Sequence, residues 1–511
     1  MNTRTNLRNR TLSITRCGLR TARPRLRMVV RAVALVALLT GAAAQAGRLP
    51  RYGGDLRFRI ASVPSSLDPL RLHGDDGALV ASCLYDGLTR WDATDLAPAI
   101  ARQWVRDEDA KRWLFYLRND VQFHDGSRCD AAAVRQCLER LADPRQSPYA
   151  WILADLVGWD DFVAGRTLTI AGLDVIETDQ IELRFAAAVS DLPARLALPA
   201  ASIARRHGEE WLGTGPFEVL AAAPGVLRLT ASRDHRDGRP YLDHVEMVAK
   251  RDVEPPSSDA VTEVNRALVA DALPAGATRW RAPAERLGLA VVNPQSAVLN
   301  VDVLRDKLAQ SFDRAVFVRA VLGGDGRGTE GVSPHGVKTV SARSADPPGD
   351  LGTRPQQHVR IVVAASEPVL RALGERLQVH LFAMGLAADL DILAAEAWNQ
   401  AIATRAFDVV VVGWTPPQPA VAEFDPVTRS LLLATSGLQP LLRDAAPEAW
   451  GTAHLRAVKD PEPALLKGDW CVPLVFFHDL WQTNGDLVSF QPGAVAPALG
   501  VASAYFTPRT P

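Results

Sequence analysis

From Val359 to Trp414 the chain changes its apolar period four times, and this alternation restricts the fold more than any other stretch. Val359 to Ala365 is a short, β-branched apolar run of the kind that forms a strand buried on both faces. Val369, Leu370, Leu373, Leu377, Leu381 and Met384 then recur every three or four residues, which predicts one helical face, and Gly385 ends it. Asp389 to Leu393 reads as the next strand, Glu396 to Arg405 as a helix and Phe407 to Trp414 as a third strand. Strand–helix alternation of this kind predicts a parallel βαβαβ unit. Ligands of open α/β sheets gather beyond the carboxyl ends of the strands, which makes Gly413, Trp414 and Thr415 candidate site residues.

The first half carries a different grammar. Leu56, Phe58 and Ile60 alternate with Asp55, Arg57 and Arg59, the period of a half-buried strand, and Asp76 to Gly87 reads as a helix with Leu79, Val80, Cys83 and Leu84 on one face. Trp113, Phe115 and Leu117 form another alternating strand, and Leu168 to Phe185 reads as a hairpin turning at Thr178-Asp179. These antiparallel signals predict a sheet-rich lobe with a small inserted subdomain over about 92–212. Residues 253–285, rich in Ala, Pro and Asp, read as a weakly specified connector, and Leu304, Leu308, Phe312 and Val316 predict one helix closed by Gly323-Gly324.

Compartment and charge remove several classes of function. Residues 1–31 hold nine arginines and no acid, Met28 to Leu39 is mostly apolar, and Ala44-Gln45-Ala46 is a small-x-small site, the pattern of a signal peptide cut after Ala46. Met28 to Ala46 makes a complete short signal by itself, so Met1 and Met28 both stand as starts. No cysteine stands directly after the cut, so a lipid anchor is not expected, and the expected location is the periplasm. Without these nine arginines, 48 basic residues face 58 acidic ones, a net charge near −10 with no basic stripe, which disfavours nucleic acid. Cys83, Cys129, Cys137 and Cys471 show no CxxC or zinc-finger spacing, so no metal site or cofactor is implied; Cys129 with Cys137 is the one sequence-near pair for a disulfide. Nor is there a GxSxG elbow or an HExxH helix, so hydrolase chemistry has no positive signal.

Seven short motifs follow one another along the chain. They are Ser66-Leu67-Asp68-Pro69, Tyr85-Asp86-Gly87-Leu88, Phe123-His124-Asp125-Gly126 with Asp130, Gly213-Thr214-Gly215-Pro216-Phe217, Arg239-Pro240-Tyr241-Leu242-Asp243, Phe312-Asp313-Arg314, and Phe407-Asp408 leading into Gly413-Trp414. Each alone is ordinary turn, cap or core grammar: Asp130 reads as an N-cap, His124 as a turn residue bonding nearby backbone, Asp68 as the fixer of a turn, Tyr85 and Phe217 as core. In this order they resemble the family 5 extracellular solute-binding proteins of ABC importers, which include oligopeptide, dipeptide and nickel receptors, across nearly the whole mature chain.

The resemblance implies an α/β, two-lobed periplasmic-binding-protein fold of the large peptide-receptor type, with an extra subdomain in lobe I. Lobe I would comprise 47–255, followed by a connector at 256–284, lobe II at 285–480, and a C-terminal return to lobe I at 481–511. The implied function is not catalysis but capture of a peptide or peptide-like solute between closing lobes, by a monomer that hands it to a permease and ATPase complex in the inner membrane. A solute sensor, a transport-inactive binder and a nickel-chelate receptor share the fold as alternatives. Trp414 would form an apolar wall, with Gly413 and Thr415 beside it and Val63 and Ser65 approaching from the other lobe.

Two departures separate this chain from the peptide receptors it resembles. Those receptors place an acidic residue three positions after the tryptophan, where this chain reads Trp414-Thr415-Pro416-Pro417. Dipeptide receptors place an arginine just after the strand matching Val359 to Ala365, and here Ser366 and Glu367 stand there. Both charged anchors for a free dipeptide are therefore missing at the expected positions.

Overall fold

The computed structural model describes residues 50, 52–60, 63–72, 74–92, 95–147, 149–249, 262–268, 277–299, 304–305, 308–309, 312–330, 358–365, 367–414, 471–483, 487–488 and 499–506. The signal-peptide reading, Thr415, Pro416, Pro417 and Ser366 lie outside them.

One large sheet runs through both halves of the chain. Its strands are β1 (Asp55–Ile60), β2 (Phe217–Ala223), β3 (Val226–Ala231), β4 (His244–Ala249), β5 (Thr262–Ala267), β6 (Thr278–Val292), β7 (Gly326–Gly328), β8 (His358–Ala364), β9 (Ala387–Leu393), β10 (Val409–Trp414) and β11 (Cys471–Thr483). Their order is β2-β3-β4-β1-β5-β11-β6-β10-β8-β9, with β7 attached to β11. The period-2 pattern of β1 works on both faces. Leu56, Phe58 and Ile60 pack into a core with Leu79, Val80, Cys83 and Leu84 of helix α1 (Gly74–Leu84). On the opposite face Arg57 bridges Glu246 of β4 and Glu263 of β5, and Arg59 adds a 2.9 Å contact to Glu263, so the parallel strands are cross-linked by charge.

The inserted segment has its own four-stranded antiparallel sheet, in the order Ala101–Arg106, Arg112–Leu117, Gln180–Arg184, Leu173–Glu177. Trp113, Phe115 and Leu117 are buried as their alternation predicts, and the 173–184 hairpin turns at Thr178-Asp179. Helix α2 (Ala131–Ala142) packs near this hairpin. Asp130 caps it, its carboxylate accepting the Ala133 N–H at 2.9 Å.

In the second half β8 pairs in parallel with both β9 and β10, as the alternation requires. Helix α3 spans Arg314–Ala320, α4 Pro368–Ala383 and α5 Ala395–Thr404. The two faces of this sheet belong to different cores. Ala290, Val292, Val359, Ile361, Val363, Val409 and Val411 pack with Leu370, Leu373, Leu377 and Leu381 of α4. Leu287, Leu289, Val291, Val362, Val410, Val412 and Trp414 fall instead in a cluster with Ala401 of α5, and that cluster runs on to Leu88, Phe115, Leu138 and Leu196 of the first half. Gly385 ends α4 with φ 78°, and Arg405 ends α5 with φ 56°, a left-handed cap on a non-glycine residue.

Two expectations need correction. The stretch read as a weak connector contains β5, which joins β1 to β11, and the start of β6. Its small residues hid strands whose partners are distant in sequence. The single helix expected from Leu304 to Val316 is broken: Phe312 and Asp313 are not helical, and the Asp313 carboxylate accepts the Val316 N–H at 2.9 Å to begin α3 anew. An internal aspartate able to cap competes with helix continuation. Cys83, Cys129, Cys137 and Cys471 are free thiols, so the 129–137 disulfide is not formed.

Candidate ligand-binding site

The motifs of the first half build the frame around the end of α1. Gly213 and Gly215 pass so close to the helix end that a Cβ on either would collide with the backbone at Leu84. Gly215 N–H donates to the Leu84 carbonyl at 3.0 Å, and His124 holds the turn from the other side: its backbone N–H donates to Gly213 O at 2.9 Å and its ring Nε2 lies 3.1 Å from Gly215 O. The ring therefore bonds backbone, as expected of a turn residue, but it does so across 91 positions of sequence. Burial lowers its pKa, against smaller opposing effects from Gly215 and Asp86. Tyr85 is core, its hydroxyl donating to Leu67 O at 2.6 Å. Asp68 accepts the Leu70 N–H at 3.0 Å and pairs with Arg140 of α2. These residues position a scaffold and leave the ligand chemistry elsewhere.

That chemistry was expected at the carboxyl end of β10. Gly413 and Trp414 face Gly288 and Leu287 of β6 in register. Trp414 is only 3% exposed and belongs to the apolar cluster shared with the first half, so its ring is covered in this conformation. Val63 is half-buried against the other core, with Leu56 and Phe58, and Ser65 is exposed. The structure thus brings Gly413 and Trp414 together but assigns Val63 and Trp414 to separate apolar clusters.

Beside Gly413 stands an ionic group that the sequence reading did not find. Arg286 of β6 is buried and holds Glu367 in a two-pronged pair, Nη1 to Oε2 at 2.7 Å and Nη2 to Oε1 at 3.3 Å. Asp479 of β11 approaches Nη1 at 3.4 Å, and the guanidinium lies 6.0 Å from the Phe477 ring centroid. Glu367 immediately precedes α4, so the pair ties β6 and β11 to the end of β8 and the start of α4. Removing charges from water is costly unless they pair with good geometry, and this bidentate contact supplies it. Arg286 was missed because it stands just past the stretch read as connector, where a lone arginine reads as a surface residue. Its signal in the sequence was Glu367, an acid just after the strand from Val359 to Ala365. His478 of β11, half-buried, bonds the Ala282 carbonyl through a ring nitrogen, Nδ1, at 3.0 Å.

The large sheet is mixed, parallel at β4-β1-β5 and β10-β8-β9 and antiparallel elsewhere, and the Arg286 group and Trp414 stand together at the end of β10. Residues 95–425 match the bacterial extracellular solute-binding proteins, family 5 (middle), and the chain belongs to that family. Among curated relatives, the periplasmic oligopeptide-binding protein of Escherichia coli is 28% identical over 260 residues, 47% of each chain, so the match spans about half of that relative's length. The probable D,D-dipeptide-binding periplasmic protein of the same organism is 24% identical over 385 residues, 70% of this chain and 73% of that one. Among solved structures, the murein tripeptide-binding protein of Escherichia coli superposes with TM-score 0.70 at 16% identity, covering 90% of this chain and all of that one (100%). The Haemophilus influenzae oligopeptide-binding protein in complex with a nonapeptide gives 0.68 at 16% identity, over 90% and 100% of the two chains. The fold is that of the large peptide-binding periplasmic receptors.

Proposed function

We propose that this protein is the periplasmic receptor of an ABC importer, capturing a peptide or peptide-like solute between two lobes and presenting it to a permease. The observation that carries this reading is the family match over 95–425, supported by curated relatives named for oligopeptides, D,D-dipeptides and murein peptides. The proposed lobes meet where β6 and β11 run side by side. Their ladder is irregular between Arg281 and Glu285, and again between Gly288 and Leu289, which supports a hinge at the first break. Binding is then capture by closure: the solute gains contacts from both lobes only in the closed form, so it shifts the population toward that form.

Gly413 and Trp414 form the second-lobe wall of the proposed cleft, and Val63 and Ser65 face it from the first. With Trp414 covered, access to its ring requires the covering segments to separate. Arg286 is neutralised by Glu367, so a ligand carboxylate would have to compete with a bidentate internal partner. This favours solutes held by backbone-type hydrogen bonds over those held by terminal charges.

The test is recovery of the native solute. Mature protein purified without refolding is denatured, and the released small molecules are identified by mass spectrometry. A mixture of short peptides, together with a rise in Tm when they are added back, supports the reading. A single non-peptide compound, restored stoichiometrically to the stripped protein, would remove peptides as the solute class.

A further inference from the structure

Strand β11 changes partners at His478 and Asp479. Its residues 480–483 pair with β5 on one edge and with Thr278 to Arg281 of β6 on the other. Its residues 475–477 pair instead with β7 and with Arg286 to Gly288 of β6. The cores change at the same place. Val264, Trp280 and Trp481 pack with Leu56 and Phe58 of the first half, whereas Val475 and Phe477 pack with Phe317 and Leu322 of the second. Arg281 is therefore the last rung of β6 on the first side of the break, and Glu285 and β7 stand on the second.

Asp325, directly before β7, reaches back across this boundary. Arg281 donates to its carboxylate through Nε at 2.8 Å and Nη2 at 2.7 Å, a two-pronged contact. A fixed turn presents the carboxylate. The Gly324 N–H donates to Val318 O of α3 and the Asp325 N–H to Leu322 O, both at 2.9 Å, with Gly324 at φ 87°. Val318 and Leu322 pack in the second core, so Asp325 moves with that half. Arg327 of β7 pairs with Glu285 at 2.8 Å and lies 4.2 Å from the Phe476 ring centroid, which pins β7 to the same side. The hydrogen bonds from Arg281 hold the Asp325 carboxyl below its ordinary range, with burial opposing them.

The side chains of Arg281 and Asp325 are 52% and 34% exposed, and a pair of that exposure inside one rigid body contributes little. A pair between two bodies differs in kind. It exists at one hinge angle, so its whole free energy enters the difference between conformers. We propose that Arg281 and Asp325 form an interlobe latch that holds the hinge in the described form, in which Trp414 shares its cluster with Leu88, Phe115 and Leu196 of the first half. The latch rests on the two-lobed, hinged reading above, and its exposure keeps it weak enough for the lobes to part and exchange solute.

The test reads interlobe distance in the mature protein without added solute. Spin labels go on Leu168→Cys and Phe382→Cys, which are 93% and 78% exposed and lie in the first and second halves. Cys137→Ser removes the half-buried native thiol, while Cys83, Cys129 and Cys471 are buried. Double electron–electron resonance then gives the populations of the described distance and of a second, opened one. Arg281→Gln and Asp325→Asn should each raise the opened-to-described ratio about two- to fivefold. The double variant should raise it no further than either change alone. Arg371→Gln, which breaks an exposed pair with Glu375 inside α4, should leave it unchanged. Two distances whose ratio neither latch variant moves would overturn the latch and leave the hinge standing. An additive double variant overturns it too, because the side chains then do not act as a pair. A single distance in every protein overturns the hinge as well.

Discussion

The guanidinium of Arg286 lies against the bare backbone of Gly413: a Cβ at 413 would sit 2.5 Å from Nε and 2.6 Å from Cζ. Glycine at this strand position is therefore a consequence of the buried arginine on the neighbouring strand. Gly413→Ala should lower unfolding free energy by about 1–3 kcal/mol, the usual cost of overpacking. In the Arg286→Ala background the same change should cost much less, and urea melts of the four proteins of this double-mutant cycle measure the difference.

Glu367→Gln leaves the buried Arg286 with a neutral bidentate partner and, among the described residues, only the more distant Asp479 carboxylate, 3.4 Å from Nη1, to offset its charge. The expected loss is about 3 kcal/mol or more, read as a drop in denaturant midpoint. Arg286→Met combined with Glu367→Leu should recover part of it, since the pair itself no longer has to be desolvated and only Asp479 loses its arginine contact. A double variant as unstable as Glu367→Gln would show that the pair contributes more than compensation for its own burial.

Asp86 supplies a pH signature. Burial would raise its pKa, but His235 and Arg236 outweigh that and hold it at about 2. A carboxyl depressed on folding stabilises the native state above its unfolded value and loses that contribution as pH falls toward the folded value. Stability should therefore decline between about pH 4 and pH 2, by about 2 kcal/mol from this group. In Asp86→Asn the acid limb of a Tm-versus-pH profile should be shallower over the same window.

Gly213→Ala would drive a methyl group into the Leu84 carbonyl, and Gly215→Ala into the Leu84–Tyr85 peptide. Backbone on both sides offers no side chain that can move aside. Each variant should lose more than about 3 kcal/mol, seen as poor yield of folded protein. By contrast Gly126→Ala, at φ 79° with open space around it, should fold with a penalty of about 1 kcal/mol.

Trp414→Ala should cost about 3–5 kcal/mol, because its ring is enclosed by an apolar cluster. Its effect on solute binding is best measured with Trp414→Phe, which keeps the core filled. A solute affinity unchanged by that variant would take the ring out of the proposed cleft wall.

Local signals carried the fold well. The β8-α4-β9-α5-β10 run was legible because each element declares its own period, and Gly385 and Asp130 mark ends by chemistry confined to one turn. The failures involve long-range pairing or competition. β5 is held by β1 and β11, more than two hundred positions from the latter, and nothing in its own composition announces that partner. Asp313 shows a cap overruling a continuous apolar period. In the site, Gly413 and Trp414 could be placed because strand ends can be read, whereas Arg286 could not: a lone arginine on an alternating strand looks like a surface residue until Glu367 and Asp479 are found beside it.

Strand β11 lies in the interior of the large sheet, between β5 and β6, yet it is supplied by residues 471–483 near the carboxyl end. Neither half can complete its ladder until almost the entire polypeptide is present, since β5, β6 and β7 all wait for this strand. Contacts of such sequence separation form late and slowly. During synthesis the growing chain is therefore kept from locking into its final topology, and a chain cut short before Cys471 is left with unpaired strand edges, a target for chaperones and proteases.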